Sequence, residues 1–263
     1  MITIKSRREF AKMARAGSAV AAVHAAIRDA AAPGVSLHDL DEIGATVIAD
    51  HGCTPSFLGY LGYPANLCLS PNDIIVHGIP SDYRLQEGDI LSVDAGAIYE
   101  GFHGDAAFTM GIGEISDEAR RLIDVTEAAM WAGIREVRKG GRLGDIGAAV
   151  HEVGTEAGYG VVEEYVGHGI GREMHEEPQV PNYGTRGKGM RLKSGMALCI
   201  EPMFNLGERH TKVDGDGWTV RTKDGSLSAH WEHTVAITPD GTKVLTAAEE
   251  PVAVEFEEAR AQG

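Results

Sequence analysis

The sequence predicts an α+β protein in which two similar halves close one sheet. Three observations carry this. The order helix, helix, short strands occurs twice. Residues recur at a fixed offset between the two occurrences: Gly34, Leu37, Asp39 and Gly52 have counterparts 106 residues on in Gly140, Leu143, Asp145 and Gly158. Gly88, Leu91 and Asp94 have counterparts 107 residues on in Gly195, Leu198 and Glu201. Glycine fills 34 of 263 positions, about double the usual share of ~7%, which calls for many tight turns and close backbone approaches.

The elements follow in order. A helix over residues 6–32 opens with the capping-box pair Ser6 and Glu9 and ends at Pro33-Gly34. A second, over 36–51, stops at Gly52. Short strands are expected at 55–60, 66–69, 74–77, 89–98 and 102–110. The second half repeats the order, with helices over 117–139 and 143–157 broken at Gly140-Gly141, then strands at 161–166, 196–204, 218–222 and 231–238. No linker separates the halves, so residues 1–263 are expected to form one domain with a loosely held acidic tail from about 249.

Composition narrows the function. Lys and Arg number 24 against 39 Asp and Glu, a net charge of −15, which argues against DNA or another nucleic-acid backbone as main partner. No apolar run of about 18 residues is present, so no membrane span is expected. Basic residues near the start are not followed by the apolar stretch of a secretory signal. Cys53, Cys68 and Cys199 form no CxxC pair and are odd in number, which fits a reduced, cytoplasmic setting. The nucleophile elbow of serine hydrolases and the phosphate-binding loop of nucleotide hydrolases are both missing. Cys199, in an apolar strand, reads as a buried inert thiol.

Acidic residues stand where strands should be apolar. Asp94 lies within 89–98 and Asp105 within 102–110. A turn centred on Tyr99 and Glu100 sets these two acids opposite one another, a destabilising arrangement if both are charged. Glu201 follows Leu198-Cys199-Ile200, Glu232 sits between apolar strand positions, and His168 lies in Gly167-His168-Gly169. Asp94 and Glu201, at equivalent places in the halves, should face each other across the centre. Singly, each residue reads more readily as solvated or structural. Together, four carboxylates and an imidazole make a ligand set for Mn, Fe, Co or Zn. Four carboxylates exceed the three protein ligands usual for one catalytic zinc. Bridging carboxylates would instead hold two divalent cations about 3.5–4 Å apart. Such a site makes a hydrolase. His77 and His175, near the set in sequence, are suited to donate to a scissile amide and its oxyanion.

These residues and their surrounding strings resemble the methionine aminopeptidases, dimetal peptidases of the pita-bread fold. The strings are Gly59-Tyr60-Leu61-Gly62-Tyr63-Pro64-Ala65-Asn66, Gly101-Phe102-His103-Gly104-Asp105, Gly167-His168-Gly169-Ile170-Gly171-Arg172, His175-Glu176-Glu177-Pro178 and Ser226 to Thr234. The 31 residues from Glu201 to Glu232 leave no room for the type II insertion, so the chain looks like the short bacterial type I form. The resemblance implies a pseudo-twofold fold with a central curved antiparallel sheet flanked by helices. It implies removal of the initiator methionine from nascent polypeptides when the second residue is small. It implies that Asp94 chelates one metal, His168 and Glu201 the other, and that Asp105 and Glu232 bridge both, with Glu201 also the acid/base. It assigns His77 and His175 to the substrate amide, and Tyr60, Tyr63, Cys68 and Trp218 to the methionine pocket. Asn72, Ile74 and Ser228 match a monovalent-cation site of some members.

The chain departs from the family pattern at three places. Met174 precedes His175 where many members have Phe. Phe57 replaces a small or polar residue and should narrow the pocket entrance. Gly96 stands where some have Thr, removing a hydroxyl expected near Asp94. A proline-directed aminopeptidase of the same fold would carry a further N-terminal domain, and a peptide-binding module would have lost ligands. A monomer suffices. The basic residues Lys5, Arg7, Arg8, Lys12 and Arg15 offer a transient ribosome contact if a helix gathers them on one face.

Overall fold

The computed structural model describes residues 2–247 and 252–254. The first half runs α1 (Arg7–Ala30), α2 (Leu37–Asp50), β1 (Thr54–Pro55), β2 (Leu67–Pro71), β3 (Ile74–Val76), β4 (Ile90–Tyr99) and β5 (Phe102–Gly111), with a 3-10 turn at Tyr60–Gly62. The second runs α3 (Asp117–Glu136), α4 (Leu143–Ala157), β6 (Gly160–Val161), β7 (Gly167–Gly169), β8 (Glu176–Val180), β9 (Ala197–Ile200) and β10 (Met203–Asn205). It continues through β11 (Thr211–Val213), β12 (Val220–Thr222), β13 (Ser228–His230) and β14 (Glu232–Thr238), and β15 (Gly241–Val244) and β16 (Val252–Ala253) follow.

The helices start where their caps allow. Ser6 Oγ accepts from the Glu9 N–H, and the Glu9 carboxylate accepts from the Ser6 N–H at 2.8 Å. Ser36 and Asp39 repeat this reciprocal pair at α2. Along α1 the spacing of Phe10, Met13, Val20, Val23 and Ile27 puts an apolar stripe on the sheet side. The helix comes close because β5 carries no side chain at the crossing: a Cβ on Gly104 would lie 2.8 Å from the Gly17 nitrogen of α1.

The main sheet is antiparallel, in the order β1-β4-β5-β14-β9-β7-β8, with β2 also on β4 and β15 on β14. Its centre, β4-β5-β14-β9, reads the same from either end once β4 is matched with β9 and β5 with β14. The twofold extends to single torsions. Gly34 and Gly140 have φ of 94° and 90°, Gly52 and Gly158 of 68° and 83°, and Gly88 and Gly195 of 91° and 93°. The same backbone bonds recur as well: Gly34 N–H donates to Leu85 and Gly140 to Leu192, Leu37 to Tyr83 and Leu143 to Met190. Chance similarity of two helix-strand units would not reproduce paired left-handed glycines and paired hydrogen bonds.

Several expected boundaries move. The β4–β5 turn is Glu100-Gly101, both with positive φ (46° and 76°), a two-residue turn whose twist suits a hairpin. Asp94 therefore pairs with Ala107, and Asp105 with Gly96, instead of with each other. The strand expected over 196–204 breaks at Glu201-Pro202 into β9 and β10, since Pro202 has no N–H to continue the ladder. The stretch 55–60 gives only β1, and 161–166 only the end of β6. Strands β7, β8, β11, β13 and β15 were not anticipated. The expected acidic tail lies largely outside the described residues, and Val252–Ala253 within it pairs with β15.

The basic stretch is not one free face. Lys5 is buried and pairs with Glu176 at 2.7 Å, and Lys12 pairs with Glu100 at 2.9 Å. Arg7 meets Asp240 at 3.1 Å, Arg15 lies over the Tyr99 ring, and Arg8 is exposed. Among the described residues no helix is long and apolar enough to cross a membrane. Cys53, Cys68 and Cys199 are buried and unpaired.

Candidate metal centre

The four central strands aim acids at one place. Cys68, Asp94, Ala107 and Glu232 lie in one cross-strand row over β2, β4, β5 and β14. Asp105 sits in the next row, two residues away in register and so on the same face. The correction to the hairpin moves the pair by two and leaves both acids on that face. Thr234 fixes Asp105 from β14, accepting from its N–H at 3.0 Å and donating to its carbonyl at 2.8 Å. Glu201 enters from the end of β9, and His168 from β7.

The cluster is a chemical conflict as it stands. Asp94 Oδ1, Asp105 Oδ1, Glu201 Oε1 and Glu232 Oε1 are buried without a hydrogen-bond partner. Buried polar atoms are normally satisfied, and an unpaired buried carboxylate is costly. Burial pushes the Asp94 carboxyl up to about 7. Asp105 is held well above the carboxylate range by burial, Glu232 and Asp94, and Glu201 by burial, Asp105 and Asp94. Glu232 is raised by burial and Glu201.

His168 adds a nitrogen donor to these acids. Its Nδ1 lies 2.8 Å from the Gly169 carbonyl, which can only accept, so Nδ1 donates and Nε2 presents a lone pair. That lone pair faces Glu201 Oε1 at 3.5 Å and Asp105 Oδ2 at 3.8 Å. Burial first, and His175 second, push this imidazole down to about 3, so the ring itself carries no second proton near neutrality. A lone pair facing carboxylate oxygens is stable with a cation between them. The donor set thus fits divalent metal on the geometry alone.

Side-chain ligand atoms of Asp105, His168, Cys199 and Glu232 lie within 4.8 Å of one another, and so do those of Glu201, His230 and Glu232. Of these, Cys199 was read from the sequence only as an inert thiol, and His230 was not singled out. Cys199 is inert in that burial raises its thiol far above the usual range, yet it lies beneath the ligands. His230 is buried at the end of β13 beside these acids. Its signal was the spacing to Glu232, two residues apart across a strand break.

A 180 Å³ pocket opens on the acids. It is smaller than the ~300 Å³ at which pockets for drug-sized ligands begin, and has room for about one side chain. Phe57, Tyr63, Cys68, Met174 and Trp218 form its apolar wall, and Tyr60, His77 and His175 its polar rim. The Tyr63 and Trp218 rings meet edge to face at 5.2 Å. Tyr60 does more than wall the pocket: its hydroxyl lies 2.8 Å from His175 Nδ1, fixing that ring beside His168, 4.3 Å away between centroids. His77 is held at φ 60°, a strained conformation for a non-glycine residue, with its ring 6.3 Å from Trp218. Burial pushes His77 down to about 4.

Gly96 bears on the pocket differently from expectation. A Cβ there would lie 2.8 Å from Phe57 Cε1 and 2.7 Å from Ser56 Cβ. The glycine makes room for both Ser56 and Phe57. Asn72 and Ser228 are joined by the Ser228 N–H, which donates to the Asn72 carbonyl at 2.9 Å, and Ile74 lies two residues along. This trio is outside the pocket. A larger hollow of 390 Å³ between α3 and α4 is lined by charges that pair among themselves, Arg186 with Glu152 and Glu136.

Comparison with known proteins agrees with this geometry. A family model described as metallopeptidase family M24 matches residues 11–239. Methionine aminopeptidase 1 of Mycobacterium tuberculosis is 51% identical over 250 residues, 92% of this chain and 94% of that one. The chain is a member of family M24, on its methionine aminopeptidase branch. The crystal structure of the Thermotoga maritima methionine aminopeptidase superposes with a TM-score of 0.92 at 43% identity, covering 94% of this chain and 99% of that one. A prolidase from Pyrococcus furiosus shares the fold at 23% identity and a TM-score of 0.75, with 65% of its length covered. The pita-bread fold is therefore the fold of this chain, and as an M24 metallopeptidase it is a hydrolase.

Proposed function

We propose that this enzyme removes the initiator methionine from nascent polypeptides whose second residue is small. The observation that carries the reading is a single pocket with a floor of unpaired acids and a one-side-chain apolar wall. In this reading Asp94, Asp105, His168, Glu201 and Glu232 would be the residues that hold the divalent cations. Mn, Fe, Co and Zn all suit such donors. When bound, the cations polarise the scissile carbonyl and acidify water at the site.

The chain's own residues do the rest. The methionine thioether lies among Phe57, Tyr63, Cys68, Met174 and Trp218, where sulfur–aromatic contact favours it over a hydrocarbon of similar length. Glu201 takes the proton from the attacking water and passes it to the leaving amine. His77 and His175 donate to the amide and to the oxyanion that develops on it. With its Nδ1 accepting from Tyr60, His175 keeps Nε2–H free to donate. The small-second-residue rule comes with the family resemblance, as does the placement of Asn72, Ile74 and Ser228 at a monovalent cation. The same reading puts a monomer in the cytoplasm, meeting chains as they leave the ribosome. Any ribosome contact falls to Arg8 and Arg15, since Lys5, Arg7 and Lys12 are paired within the fold.

Purified protein assayed on Met-Ala-Ser and Met-Leu-Ser, with Co, Mn, Fe or Zn in turn, tests this. Methionine should be released from the first peptide only. Glu201→Ala should lower the rate by about a hundredfold or more. Absence of release with every metal would sink the reading.

A further inference from the structure

His230 stands beside Glu201 with no part in the scheme above. It ends β13, opposite Met203 of β10. Its backbone is pinned from both sides: the Thr109 hydroxyl donates to its carbonyl at 2.8 Å, and its N–H donates to Thr109 Oγ1 at 2.9 Å. The residue is 2% exposed. From this fixed base the ring reaches the acids, with Nε2 4.0 Å from Glu201 Oε2. That Nε2 has no hydrogen-bond partner, a costly state for a buried polar atom.

The two oxygens of Glu201 are thus divided between two imidazoles. Oε1 faces His168 Nε2 at 3.5 Å, and Oε2 faces His230 Nε2 at 4.0 Å. His168 must present a lone pair, because its Nδ1 donates to the Gly169 carbonyl. A lone pair from His230 as well would leave both Oε2 and Nε2 without a donor. An N–H there satisfies both. The remaining gap is one that a small carboxylate rotation closes, as catalytic contacts do when a site is loaded.

We propose that His230 is a positioning residue: its Nε2–H donates to Glu201 Oε2 and holds that carboxylate with Oε1 turned to the His168 side of the centre. The proposal rests on the reading of Glu201 as ligand and acid/base. Partners that orient a ligating carboxylate commonly matter by about tenfold to a hundredfold, and His230 carries that weight for Glu201.

Two variants separate this from packing. His230→Met keeps bulk and loses the donor, and His230→Gln keeps an N–H. Calorimetry of the chelated proteins should show Mn binding weakened about tenfold in His230→Met and within about threefold of wild type in His230→Gln. On Met-Ala-Ser, kcat should fall about tenfold to a hundredfold in His230→Met, with KM little changed and kcat largely recovered in His230→Gln. Wild-type Mn affinity and kcat in a folded His230→Met would overturn the proposal. If His230→Met does not fold, nitrogen NMR of histidine-labelled wild-type protein loaded with Zn decides: a proton on Nε2 of His230 supports the proposal, and a bare Nε2 overturns it. Wild-type protein that releases no methionine with any metal fails the functional reading instead, while Mn affinity and the His230 tautomer still decide the role of His230.

Discussion

At the scale of single residues, the site is a balance between protons and metal. The Asp94 carboxyl, at about 7 in the metal-free fold against an ordinary 3.8, is raised by burial. The stability it contributes is present below about pH 3.8 and lost as pH rises through about 7. A cation takes the place of that proton, so binding competes with protonation below neutrality. His168, pushed down to about 3, stays neutral through this range and does not compete. The gain in melting temperature on adding Mn to chelated protein should therefore be larger at pH 7.5 than at pH 5.5. A gain that is equal or greater at pH 5.5 would contradict the burial of these acids. The pocket gives a second residue-scale expectation. Gly96→Ala drives a methyl into Phe57, and should raise KM for Met-Ala-Ser about tenfold. The double variant Gly96→Ala/Phe57→Leu should recover part of it, the contact with Ser56 remaining, a coupling that steady-state kinetics of the four proteins measures. The ligand residue types were legible because acids in apolar strands have few cheap explanations. The role of Gly96 was not, because a missing side chain reveals its purpose only when the neighbour that fills the space is placed.

Elements were readable in proportion to how local their causes are. The helices were found within a few residues of their ends, since capping pairs such as Ser6 with Glu9 and stops such as Gly52 and Gly158 act within one turn. Strands β7 and β8 escaped, because Gly167-His168-Gly169 has no β-forming side chain and is a strand only through its neighbours β8 and β9. The hairpin register was misplaced by two, an even number, so the face carrying Asp94 and Asp105 was still right. An odd error would have turned one of them away from the site. Helix–sheet packing yields its own expectation. At the Gly17–Gly104 crossing the neighbour is backbone and has no rotamer to change. Gly104→Ala should cost about 1–3 kcal/mol in urea unfolding, and a neutral result would mean α1 does not sit where it is placed.

On the scale of the whole molecule, the halves divide the labour unequally. Each supplies one outer and one inner acid: Asp94 and Asp105 from the first, Glu201 and Glu232 from the second. His168 and the pocket walls have no such symmetry. Among residues that line the pocket, Phe57, Tyr60, Tyr63, Cys68 and His77 come from the first half, with His168, Met174, His175 and Trp218 from the second. The repeat was visible in the sequence through its glycines, whose torsions allow few substitutes. The asymmetry was visible only where the chain matched a known family.

The joint between the halves has a consequence for the cell. Ala107 and Glu232 meet across β5 and β14, although 125 residues of chain separate them. That pairing requires closure of a long loop, whereas each half can build its own hairpin or helix pair beforehand. Until the joint closes, the carboxylate cluster that fits divalent metal is not assembled. A half-made or partly opened copy therefore cannot cut the exposed chain ends that crowd around it. Competence for proteolysis is granted by the same step that completes the fold.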